Sequence, residues 1–108
     1  MSQDLSVELW LMTQLRGLGA RGDFYTILHR GDPHTGLVLV LWRNGHDLAL
    51  YSRERGLEGH LGWQCIRLAK NDHDRYIARA RERDRDLWVI EIETRTGPFP
   101  LEGPVYDA

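Results

Sequence analysis

At 108 residues the chain is long enough for one folded core and too short for a multidomain machine. Fourteen Lys and Arg against sixteen Asp and Glu leave a net charge of -2, without the basic field that drives phosphate-backbone binding, so a dedicated nucleic-acid protein is disfavoured. The single cysteine, Cys65, closes no internal disulfide, the first residues lack the basic start and apolar run of a leader, and no stretch approaches about 18 apolar residues; the expectation is a cytoplasmic protein that does not span a membrane.

Leu11, Met12, Leu15 and Leu18 recur at helical spacing, and Gly17, Gly19 and Gly22 crowd the place where such a helix stops, which predicts a helix over 8–20. The alternation Leu5, Val7, Leu9 leaves a short strand open as the alternative start. Residues 24–30 are β-rich. Gly31-Asp32-Pro33-His34-Thr35-Gly36 reads as a loop, since Pro33 fixes its own φ and glycines flank it. Residues 37–42 are apolar on both parities, the mark of a central strand covered on both faces or of one with a face in an interface. Asn44-Gly45 tolerates positive φ and predicts a hairpin into a strand over 47–52, so three antiparallel strands are expected in succession.

Residues 53–62 are polar, hold three glycines and read as a loop; 63–68 alternate Gln64, Ile66 and Leu68 against Trp63, Cys65 and Arg67, a fourth strand. Asn71 or Asp72 can cap a following helix with an inner stripe of His73, Tyr76, Ile77 and Ala80 and an end near Asp84. A last strand over 87–93 sets Trp88, Ile90 and Ile92 on one face and Val89, Glu91 and Glu93 on the other. Residues 97–108, with three prolines, read as a tail with little structure of its own after a single globular domain over 1–96. The order α-β-β-β-β-α-β gives an α+β class: a mostly antiparallel sheet of about five strands with two helices.

Lys70, the only lysine, follows Ala69 and precedes Asn71, which excludes a phosphate loop ending in Lys-Ser or Lys-Thr. His29, His34, His46, His60 and His73 match no ligand spacing, so no metal and no cofactor is expected. Cys65 has Trp63 and Arg67 as face neighbours, neither of them a base, and reads as a core filler rather than a nucleophile. Lys70, Arg75, Arg79, Arg81, Arg83 and Arg85 face Asp72, Asp74, Glu82, Asp84 and Asp86 in the same stretch, which favours a salt-bridged solvent face over a nucleic-acid surface.

With those residues in view, the chain resembles domain of unknown function 1491, a small family typical of alphaproteobacteria. The likeness rests on Arg30-Gly31-Asp32 with Gly36, on Asp74-x-Tyr76-Ile77-Ala78-Arg79, and on Asp84-x-Asp86-Leu87-Trp88-Val89-Ile90-Glu91-Ile92-Glu93. It runs from about Leu9 to Thr96. Arg85 stands where proline is expected and His29 where arginine is expected. The resemblance implies no activity, cofactor or partner.

Arg30, Asp32, Tyr76 and Arg79 are the candidate binding residues, because they lie in the matched stretches. Two arginines offer forked donors, and loop glycines let amides approach a phosphate or carboxylate. Against this, Asp32 before proline commonly accepts from its own turn, and arginines commonly pair with helix carboxylates. The function expected is a non-catalytic binding or protein-interaction module. Its partner would be another protein or a second copy, met through apolar surface at 37–42 with help from the four tryptophans. Two alternatives stay open: a small enzyme or anion binder using Arg30, Asp32 and Arg79, and a weak nucleic-acid binder through Arg75 to Arg85.

Overall fold

A computed structural model describes residues 6–69 and 72–106. The elements are α1 (Val7–Ala20), β1 (Phe24–His29), β2 (Val38–Asn44), β3 (Asp47–Arg55), β4 (Leu61–Ile66), α2 (His73–Arg83), β5 (Trp88–Thr94) and β6 (Val105–Tyr106). Helix wins over strand at the start of α1 because the Ser6 hydroxyl accepts from the Leu9 amide at 3.1 Å, capping a first turn that contains both Val7 and Leu9. Leu5 lies outside the described residues. At the other end Gly22, with φ +87, turns the chain so that the Asp23 amide reaches back to the Leu18 carbonyl at 3.0 Å.

The six strands form one mixed sheet in the order β1-β5-β2-β3-β4-β6, an α+β fold in which three of the five pairings are antiparallel. The expected run of three adjacent antiparallel strands is corrected here: β1 does not pair with β2, because β5 lies between them, antiparallel to β1 and parallel to β2. The cause is hydrophobic. Trp88, Val89, Ile90 and Ile92 are fully buried, so β5 is stable only where neighbours flank both its edges and both its faces are covered. The connection from β4 through α2 carries the chain back past β3 and β2 to that position.

Each helix covers one face. Leu11, Leu15 and Leu18 of α1 pack with Val38, Val40, Trp63, Trp88, Ile90 and Ile92, while Ile77 of α2 packs with Leu39, Leu41, Leu50, Leu87 and Val89. The doubly apolar parity of 37–42 thus belongs to a central strand with two covered faces, and Val38 to Leu41 offer no surface to a partner. The tryptophans likewise serve the interior: Trp63 and Trp88 are fully buried, and Trp42 donates to the Thr94 hydroxyl at 3.0 Å.

Two further expectations change. β3 runs on to Arg55 and β4 begins at Leu61, because Arg53, Glu54 and Arg55 pair with Trp63, Gly62 and Leu61 inside the stretch read as a loop. The stretch read as a tail contributes to the core: Leu101 is buried, Phe99 packs on Tyr51 with ring centroids 4.5 Å apart, and β6 adds a parallel strand to β4. Its prolines and glycines bend the segment without freeing it, since the Trp63 indole donates to the Glu102 carbonyl at 3.0 Å and the Glu102 amide to Gln14 at 2.8 Å. In α2, Asp72 makes no side-chain capping bond, and Asn71 lies outside the described residues.

Candidate functional site

The loop between β1 and β2 must pass over the start of β5, and its residues are shaped by that crossing. The Trp88 indole donates to the Asp32 carbonyl at 2.8 Å, and the Asp32 amide donates to the Asp86 carbonyl at 2.9 Å. A Cβ on Gly31 or Gly36 would come within 2.6 or 2.7 Å of the Trp88 ring, so both positions exclude a side chain. Asp32 Oδ1 accepts from the His34 amide at 2.8 Å and the Thr35 amide at 2.9 Å. These two bonds, Thr35's first, hold the carboxyl pKa below its ordinary value of 3.8. Arg30 pairs with Glu8 of α1 at 2.7 Å and lies over Trp88, 5.3 Å from the ring centroid.

Arg30 and Asp32 therefore come together at the α1 side, through Trp88. Tyr76 packs on the other face of the sheet, in the cluster around Ile77, and Arg79 is exposed on α2. Among the described residues no hydrogen bond or ion pair joins Tyr76 or Arg79 to the loop. Arg81 and Arg85 border a shallow hollow of about 430 Å³ with His29, Ala78 and Glu82. His29 itself is hydrogen-bonded through Nδ1 to the Leu87 carbonyl at 2.7 Å. No group of three or more His, Cys, Asp or Glu able to hold a metal occurs among the described residues. Cys65 is half-buried and sits across from Tyr51, whose phenol is pushed above its ordinary pKa by burial first and by Cys65 second.

Two other regions stand out. β1 is one edge of the sheet, and it leaves Phe24 67 %, Tyr25 42 % and Leu28 44 % exposed. At the opposite margin, Trp10, Arg53, Arg55, His60 and Glu102 border a cleft of about 560 Å³, in which the Arg53 guanidinium carbon lies over the Trp10 ring, 3.7 Å from its centroid.

A family model described as "Protein of unknown function (DUF1491)" matches residues 5–102. The chain belongs to the DUF1491 family. A crystal structure of a DUF1491 family protein from Caulobacter crescentus CB15 is 32% identical, with a TM-score of 0.83 over 94% of this chain and 99% of that one. An NMR structure of a DUF1491 family protein from the same organism gives 32% identity and a TM-score of 0.80, covering 95% and 97%. The solution structure of protein Atu0922 from A. tumefaciens, 23% identical, shares the fold with a TM-score of 0.71 over 91% and 92%. No curated protein matches. The DUF1491 match reaches Leu101 and Glu102, beyond the expected limit near Thr96, in agreement with the packing of that segment.

The cleft was missed in the sequence because 53–62 reads as a polar loop. The signal that finds it is the period-two series Tyr51, Arg53, Arg55, which puts both arginines on the Trp63 face once β3 is extended. For β1 the signal is Phe24-Tyr25, two aromatics on successive residues, which a strand must send to opposite faces.

Proposed function

We propose that this DUF1491 protein is a non-catalytic protein-interaction module that docks a second copy of itself along the free edge of β1. The observation that carries this reading is a six-residue sheet edge that exposes Phe24, Tyr25 and Leu28. Exposed edges are templates for strand pairing, and proteins that do not use them place charges or prolines there. β1 has neither within its span, and its one register irregularity against β5 falls at its far end, between Ile27 and His29. A second copy is favoured over open head-to-tail growth because, among the described residues, the sheet's other edge, β6, is two residues long and does not match a six-residue strand. Pairing β1 with β1 about a two-fold axis closes the arrangement.

A two-fold axis brings the Phe24 end of each β1 beside the His29 end of the other, which sets the two strands antiparallel. Sedimentation equilibrium across about 1 to 100 µM tests the proposal, since burial of three apolar side chains a side supports a micromolar association. The expected result is a dimer that becomes a monomer in Phe24→Lys, with an unchanged circular dichroism spectrum. A wild-type chain that stays monomeric at the top of this range overturns it.

A further inference from the structure

We infer that the cleft bordered by Trp10, Arg53, Arg55 and His60 is a binding site for a carboxylate or phosphate group carried by a small organic ligand. The Arg53 guanidinium carbon sits over the Trp10 ring, 3.7 Å from the centroid, and Trp10 in turn stacks on the buried Trp63 with centroids 6.2 Å apart, so the group is held in place over a supported ring before any ligand arrives. Among the described residues this guanidinium makes no hydrogen bond or ion pair, and unlike the exposed arginines of α2 it is half-buried against an aromatic ring. A forked donor held rigid with no acceptor is the arrangement that oxyanions complement.

A second cation sits beside it. Arg55 follows Arg53 by two residues on the same strand face and is held by donating to the Gly59 carbonyl. Burial, first, and the Arg55 charge, second, lower the Arg53 pKa, so an anion between the two groups relieves both costs. The acid that partly offsets them is Glu102, at the cleft rim, whose backbone is fixed by Gln14 and by the Trp63 indole. Among the described residues its carboxylate forms no ion pair with either arginine. Three segments far apart in sequence thus converge: α1 through Trp10, the β3–β4 hairpin, and the segment carrying Glu102. At about 560 Å³ the hollow exceeds the needs of one oxyanion and leaves room for an organic body against Trp10 and Leu61.

The competing reading makes Arg53 a cover for Trp10, neutralised by Glu102. The two separate in an NMR titration of the intact chain with inorganic phosphate, with acetate, and with chloride at matched ionic strength. The expected result is saturable movement of the Trp10 indole and the Gly59 amide by phosphate or acetate, with a millimolar dissociation constant. The anion that binds more tightly identifies the ligand's acidic group. Arg53→Gln should weaken binding at least about tenfold. Glu102→Gln, at an exposed position, should tighten it several-fold while leaving the fold intact. No saturable movement up to about 20 mM, equal movement by chloride, or an affinity unchanged in both variants overturns the inference. The outcome is independent of β1, which lies at the other margin of the sheet.

Discussion

The Asp32 carboxylate spends its acceptor capacity on its own turn, with the His34 and Thr35 amides at 2.8 and 2.9 Å, and this decides what the residue does for stability. Its folded pKa lies below the ordinary 3.8, so the ionised group contributes stability that is fully present above that value and is lost as the pH falls through the folded pKa. Asp32→Ala is therefore expected to lower the Tm by a few degrees at neutral pH and by less in acid, as the pH falls through the folded pKa and the wild-type carboxyl takes up its proton. Thermal melts of the two proteins at neutral and acid pH check this. A gap that stays constant with pH would show that the bonds to the turn amides do not depend on the charge. Residues 31–36 are legible as a loop, but the reason for their glycines is not. Gly31 and Gly36 are required by the Trp88 ring, a contact some fifty residues away in the chain that no local pattern encodes.

At the level of elements, periodicity located both helices and every strand with an apolar face, and it separated the two faces of β5 correctly. It could not order the strands. β5 enters between β1 and β2 because long-range burial outweighs chain proximity, and that balance is set by the whole sheet rather than by either neighbour. The final segment was misjudged for a related reason: its prolines and glycines signal bending, while its anchors, Phe99 and Leu101, are two isolated apolar residues that no periodicity test detects. Leu101 is almost fully buried with Trp63 and the α1 leucines, so Leu101→Ala is expected to cost about 2–4 kcal/mol, as leucine truncations in packed cores do. Urea denaturation followed by tryptophan fluorescence measures this. A loss below about 0.5 kcal/mol, the ordinary range for surface positions, would mean that the segment rests on the core without supporting it.

For the whole molecule, the sheet's two margins differ in a way that makes its interaction properties testable without mutation. β2 and β5 are paired along both edges and covered on both faces, so their amides should open only with global unfolding and exchange most slowly. β1 and β6 are both edges, and in an isolated chain both should exchange faster than the centre. They part ways on association. If β1 pairs with a second copy, its outward amides gain partners and their exchange must slow as concentration rises through the dissociation constant, because the paired state is populated by mass action. β6 gains nothing from that pairing and should exchange at the same rate throughout. Hydrogen exchange read by mass spectrometry at about 1 and 100 µM is the measurement, and internal comparison of the two edges removes any general effect of crowding or of global stability. Protection that grows with concentration over 24–29 and leaves 105–106 unchanged is the expected pattern. Equal protection of both edges at both concentrations would leave the exposed Phe24, Tyr25 and Leu28 without a partner from this chain and would overturn the two-fold arrangement.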